Sequence, residues 1–342
     1  MDILKQLSEM PGAPGREELV RDFIIEQVKD HVDEMKVDAM GNLLCRKKKS
    51  GDDVQRVMIA CHMDEIGFIV RHIDDNGFVR IQHLGGFDTR NLFARRVRIQ
   101  TRDGDMLLGN LNPGGRPIHV ASPEERNKIP KISDFYIDLG MSKDEVKKKV
   151  RVGDPVTLTQ EFVELGEKLV SGKNMDNRVA CWLGIRLLQQ LEDPDYDLHV
   201  VFTVQEEIGI RGAHTSAYQV EPDISIALDV TLAVDTPGAS PEDYITELGK
   251  GAAIKIMDAG TVSNRELVDT FIDLAEEKEI PYQLEVLPFG ATDNAAQQRS
   301  RAGSKAICLS VPTRYVHTVT ETLHKDDLYA TLDLLKAFLK QS

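Results

Sequence analysis

From about residue 67 to residue 160 the sequence reads as short β-rich runs, a texture found in no other long stretch of the chain. The runs Phe68-Ile69-Val70, Phe78-Val79-Arg80-Ile81, Val97-Arg98-Ile99, Met106-Leu107-Leu108 and Pro155-Val156-Thr157-Leu158 are separated by turn signals such as Asp75-Asn76-Gly77, Asp103-Gly104 and Asn112-Pro113-Gly114-Gly115. Such a block reads as a small all-β barrel or sandwich, with one Lys-rich helix at 142–150. The flanking segments are of another kind. Residues 15–33 have helical spacing, with Leu19, Phe23, Ile24 and Val28 on one face, and two strand-like runs follow at 34–39 and 42–47. Arg56-Val57-Met58-Ile59-Ala60-Cys61 is apolar enough for a strand buried on both faces. After residue 160, helices at 176–191, 264–278, 293–299 and 326–340 alternate with strands at 197–204, 224–228, 282–286 and 305–310. Alternation of this kind predicts an α/β sheet covered by helices. The expected organisation is one α/β domain, 1–66 joined with 161–342, interrupted by a β-rich insert at 67–160.

The chain is 342 residues long, which at about 150 residues per domain suits two domains. Its formal net charge of −14 argues against nucleic acid and anionic membrane as partners, because like charges repel. No apolar run approaches the roughly 18 residues of a membrane span. The N-terminus carries acids and lacks the basic and long apolar segments of a signal peptide. Cys45, Cys61, Cys181 and Cys308 lie far apart and read as buried free thiols. A cytoplasmic location is expected.

Open α/β sheets bind ligands at the carboxyl ends of their strands, and that is where His, Asp and Glu gather here. Cys61-His62-Met63-Asp64-Glu65 follows the apolar strand, and Asp64, two residues on, is expected to reach the His62 ring. Asn174-Met175-Asp176-Asn177-Arg178 precedes an apolar helix, where an Asp serves either as a cap or, with its two oxygens, as a bridge between cations. Gln205-Glu206-Glu207-Ile208-Gly209 places two acids after a strongly apolar strand, which is costly unless something positive pairs with them. Alternation along an extended segment predicts that one Glu binds a metal and the other faces substrate. Asp229 ends another apolar strand, and His317 follows the strand at 305–310. Together His62, Asp176, Glu207, Asp229 and His317 offer two imidazoles and three carboxylates, a set suited to two divalent cations such as zinc, cobalt or manganese.

The strings His62-Met63-Asp64-Glu65-Ile66-Gly67, Asn174-Met175-Asp176-Asn177-Arg178, Gln205-Glu206-Glu207-Ile208-Gly209, Asp229 with Asp235-Thr236-Pro237-Gly238, Gly290-Ala291-Thr292-Asp293 and Pro312-Thr313-Arg314-Tyr315-Val316-His317 resemble the tetrahedral (TET-type) metalloaminopeptidases. That family includes glutamyl and deblocking aminopeptidases, and some members carry an endoglucanase label. The resemblance covers nearly the whole chain. It implies a helix-covered mixed sheet of the zinc-exopeptidase type. It implies that His62 and Asp229 hold one metal, Glu207 and His317 the other, and that Asp176 bridges them. Glu206 would be the general base and acid, and Asp64 would orient His62. It further implies short peptide substrates, subunit contacts through the β insert and a homo-oligomer, usually of twelve subunits. Two departures are visible: Gly290-Ala291 stands where the family often has two glycines, and Thr318 where it often has serine. An acidic substrate preference would need a basic pocket residue, for which Arg211, Arg314 and Lys255 are the candidates near the motifs.

Other readings of the same ligand set are an N-acyl amino acid deacylase or a carboxypeptidase. Those enzymes usually insert an α/β lid, whereas 67–160 reads as all-β. A glycosidase would use Glu206 and Glu207 as its acid pair but would leave the histidines without a role. A non-catalytic metal-stabilised scaffold would have no need of Glu206.

Overall fold

The computed structural model describes residues 1–51 and 53–340. It contains the two architectures read from the sequence: a large mixed sheet covered by helices, and a separate closed barrel. The centre of the sheet is four parallel strands in the order Asp197–Thr203, Arg56–His62, Ile224–Leu232 and Lys305–Arg314. Antiparallel strands extend it on both sides, Leu43–Lys47 and Glu34–Val37 on one, and Glu321–His324, Leu169–Gly172 and Val163–Leu165 on the other. Ala252–Met257 pairs both with Lys305–Arg314 and with Tyr282–Val286.

The parallel strands are almost wholly buried, because helices cover both faces. The helix Met175–Gln190 is buried nearly all round and packs across the strands with Lys325–Leu339, Trp182 and Leu335 lying in the main core. Glu18–Val28 covers another part of the same face. It buries Val20, Ile24 and Val28, while Leu19 is exposed and Phe23 only partly covered. The stripe is therefore strict four-residue spacing rather than the face starting at Leu19 that the sequence suggested.

The barrel runs Gly67–Ile73, Val79–Leu84, Phe135–Asp138, Met106–Pro113, Arg95–Gln100 and Pro155–Leu158, closing on the first strand. Closure leaves it no free sheet edge, and a second core of Phe68, Val97, Leu111, Phe135 and Val156 fills it. The Lys-rich helix is Lys143–Lys149, started by a capping box between Ser142 and Glu145. No helix among the described residues is long and apolar enough to cross a membrane.

Two strands run further than the sequence predicted. Ile224–Leu232 and Lys305–Arg314 each continue about one further turn's length of chain, so Asp229 sits within its strand opposite Ser310 rather than beyond its end. In the parallel register Thr203 lies opposite His62, which aligns the exits of these two strands on one rim.

Candidate metal centre and active site

Five chain segments bring their side chains to that rim. His62 is the last residue of its strand. Its Nδ1 lies 3.2 Å from the Asp64 backbone carbonyl and 3.5 Å from the Asp64 carboxylate. The Asp64 carboxylate is mainly engaged elsewhere: its two oxygens accept the backbone N–H groups of Glu206 (2.9 Å) and Glu207 (3.1 Å). Asp64 therefore fixes the pair of glutamates as well as the imidazole.

The glutamate pair does not continue the preceding strand. Gln205 takes a left-handed backbone (φ 56°), and Glu206 O accepts from Gly209 N and Ile210 N. The pair thus lies in a turn, and both side chains line one cavity instead of alternating across an extended segment. Glu17, buried at the start of its helix, accepts from Gly15 N and Gln205 N and anchors the turn from the other side.

Asp176 occupies the middle of the cluster. The N-cap of its helix is Asn174, and Asp176 makes no side-chain capping bond. One of its oxygens lies 3.1 Å from His62 Nε2 and the other 3.3 Å from His317 Nε2. His317 Nε2 is also 3.4 Å from Glu207 Oε2, and His62 Nε2 is 3.9 Å from both Asp229 Oδ1 and Glu206 Oε2. All seven residues singled out from the sequence are in one place. Donor atoms of His62, Asp176 and Glu207 all lie within 4.8 Å of one another, and Glu207 Oε1 is buried without a partner. Convergent nitrogen and carboxylate donors with an orphaned buried oxygen are what a divalent cation site requires.

The electrostatics agree. Burial pushes the carboxyls of Glu206 and Asp229 well above the usual range, and it raises Glu207, helped by the neighbouring Asp176. Burial works against the His62 imidazolium, but Asp176 and Asp64 outweigh it and hold its pKa well above the ordinary value. A cluster this crowded with acids keeps its charge only if cations share it.

Sequence reasoning missed the residue that ties two of these segments together. Glu321, in the short strand Glu321–His324, is buried and accepts from His317 N (2.7 Å) and Asp176 N (3.0 Å) through separate oxygens. Burial and the nearby Asp176 push it up to about 8. Hydropathy cannot flag a buried glutamate. The one available signal was its place in Thr320-Glu321-Thr322-Leu323, where it shares a strand face with the core residue Leu323. Asn177 was in a quoted motif but had no role; its side chain donates to Leu228 O and ties the Asp176 turn to the strand carrying Asp229.

The profile of the M42 glutamyl aminopeptidase family matches residues 41–334. The chain is 36% identical over 335 residues to a putative aminopeptidase of Acetivibrio thermocellus, covering 98% of this chain and 96% of that one. It is 33% identical to the lysyl aminopeptidase of Pyrococcus furiosus, covering 99% and 96%. Among solved structures it superposes on an aminopeptidase of the archaeon Desulfurococcus kamchatkensis with a TM-score of 0.94 at 39% identity, covering 100% and 94%. It superposes with a TM-score of 0.89 at 32% identity, covering 100% and 99%, on the Pyrococcus horikoshii TET1 peptidase, a protein that can assemble into a tetrahedron or a large octahedral shell. A match over most of the sequence makes this chain a member of the M42 glutamyl aminopeptidase family.

Proposed function

We propose that the protein is a dinuclear metal-dependent aminopeptidase that removes N-terminal residues from short peptides. The observation that carries this reading is Asp176, whose two oxygens each face a different imidazole, with Glu206 beside them in the same cavity. His62 and Asp229 would hold one divalent cation and Glu207 and His317 the other, with Asp176 shared. Zinc or cobalt suits this nitrogen and oxygen donor set, with manganese as a further candidate. Bound there, such cations make water a stronger acid and polarise a carbonyl.

The protein's own residues do the rest. Glu206 takes a proton from the attacking water and delivers one to the leaving amine nitrogen. Burial raises its pKa above the ordinary carboxyl value, which favours its donating the proton it has accepted. Asp64 holds the Glu206 backbone and the His62 ring at once and so sets the distance between base and metal ligands. Family membership supports peptide hydrolysis from the N-terminus.

Further parts of the reading concern organisation. Residues 1–66 with 161–342 would be the catalytic unit, and 67–160 the unit through which copies associate, in a tetrahedron of twelve. The shell formed by the Pyrococcus horikoshii relative supports that assembly. A cytoplasmic location fits the four buried free cysteines.

The test is hydrolysis of aminoacyl-p-nitroanilides by metal-stripped protein with and without zinc or cobalt, each substrate paired with its N-acetylated form. Metal-dependent turnover of the free-amine substrates alone is expected. Turnover of the acetylated forms would replace the aminopeptidase with a deacylase. Glu206→Gln should bind metal normally yet lose nearly all turnover; full activity would remove Glu206 from its role.

A further inference from the structure

The cavity of about 390 Å³ beside the cluster has, beyond the ligands and Glu206, a mainly apolar wall. Ile210, Leu232, Leu287, Phe289 and Val316 line it, and Phe289 stands 79% exposed at its mouth. Lys255 is the only basic side chain apart from the histidines among its lining residues.

Lys255 is not a free cation. It is 1% exposed, with Nζ 3.0 Å from Glu285 and 3.5 Å from Asp258, both fully buried. Glu285 also accepts from Thr231 Oγ1, and Asp258 from the backbone N–H groups of Gly260 and Thr261. Two carboxylates therefore surround one ammonium, and Asp229 adds a third negative group nearby. Burial disfavours the Lys255 ammonium, but these acids keep it charged. The other two basic candidates do not supply a counter-ion. Arg314 is bound by both oxygens of Asp235, at 2.6 and 2.7 Å, and Arg211 is exposed and outside the cavity wall.

From this wall we infer that the cavity receives the N-terminal side chain of the substrate and selects uncharged, apolar residues such as Leu and Met over both Glu and Lys. A carboxylate entering it meets an ammonium already outnumbered by acids. An ammonium entering it meets the Lys255 ammonium on the wall and finds no carboxylate there beyond the proposed metal ligands and Glu206, because Glu285 and Asp258 are not part of the wall. Either charge would be desolvated without a partner that is free of the metal cluster or of the Lys255 ion pairs, while an aliphatic side chain buries against the five apolar residues.

This inference rests on the aminopeptidase reading, and the experiment separates the two. Metal-reconstituted protein is assayed with Leu-, Met-, Glu- and Lys-p-nitroanilide. Leu and Met should exceed Glu and Lys in kcat/KM by at least about a hundredfold. Glu285→Gln removes one of the acids that neutralise Lys255, and should raise the Glu-to-Leu ratio of kcat/KM at least tenfold. Glu or Lys as the best wild-type substrate, or an unchanged ratio in a folded Glu285→Gln protein, would overturn the selectivity while leaving the aminopeptidase intact. No turnover of any substrate with metal bound would overturn the underlying activity. If the variant does not fold, the wild-type panel decides alone.

Discussion

Glu321→Gln tests how the proposed metal site is held together. The carboxylate is 2% exposed and accepts the His317 and Asp176 N–H groups with different oxygens. Glutamine has the same shape but only one acceptor oxygen, so its NH2 group must face one of the two N–H donors. One hydrogen bond, worth about 0.5–1.5 kcal/mol, is lost, and a buried donor is left unsatisfied at a cost of about 1–3 kcal/mol. His317 also has a left-handed backbone (φ 63°), a conformation that costs energy and that its neighbours must hold. The loss falls on the position of two proposed ligands, one of them shared. Outer-sphere losses of this kind weaken metal binding by about 10–100-fold, equivalent to roughly 1.4–2.7 kcal/mol. The assay is competition for zinc against a chromogenic chelator, on protein shown by circular dichroism to be folded. The visible spectrum of the cobalt form gives a second readout, since it reports ligand placement rather than stability. Glu321→Asp should not restore binding, because the shorter side chain cannot span both donors. Zinc affinity within twofold of wild type in folded Glu321→Gln, with an unchanged cobalt spectrum, would refute the reasoning.

Lys173→Met should cost about 3 kcal/mol or more in urea unfolding: it strands Glu65, which is held by Lys173 Nζ at 2.7 and 3.0 Å and otherwise has only Gly12 N and the more distant Arg178. A loss below 1 kcal/mol would show that Arg178 compensates. Burial raises Asp327 from 3.8 to about 6, against the pull of its bonds from Gly249 N and Gly251 N. Its folded pKa is the higher one, so the stability it contributes, up to about 3 kcal/mol, is fully present below about pH 4 and lost as the pH rises through about 6. The wild-type advantage over Asp327→Asn should therefore be larger at pH 4 than at pH 7, and a reversed order in urea unfolding at the two pH values would contradict this. Chelating the divalent cations should lower the melting temperature by roughly 5 °C, because ligand at about a thousand times its Kd stabilises by about 4 kcal/mol. Calorimetry showing no shift, with metal removal verified, would argue against the cluster as a cation site.

The division into α/β sheet and β barrel was legible because each follows a pattern of a few residues: continuous apolar runs for Arg56–His62 and Asp197–Thr203, and short runs with turn pairs for the barrel. The metal-site candidates were legible for a related reason. Acids and histidines after buried strands have few innocent explanations, and the parallel register brings His62 and Thr203 level. What could not be read depends on long-range contact. Ala252–Met257 and Glu321–His324 are short strands whose existence is decided by Lys305–Arg314 beside them. Glu17 and Glu321 look like ordinary solvated acids until the fold buries them against backbone N–H groups. Lys255 lay close enough to the motifs to suggest an anion receptor, and only Glu285 and Asp258, 30 and 3 residues away in the chain, show that its charge is already spent.

Gly85 and Gly86 lie just past the barrel strand Val79–Leu84, yet they reach the rim that carries the candidate metal ligands. A Cβ on Gly85 would come within 2.7 Å of Ile66 and 3.4 Å of Glu207, and one on Gly86 within 3.5 Å of the His317 ring. The barrel is thus not an interchangeable cassette: it supplies part of the wall of the cavity beside the cluster. Replacing it with a barrel of another loop shape would open or block the cavity even if both halves folded perfectly. A small tilt of the barrel against the sheet would be felt directly at Glu207 and His317. Whatever the barrel leans on therefore has mechanical access to these two side chains, with no need for a relay through the core.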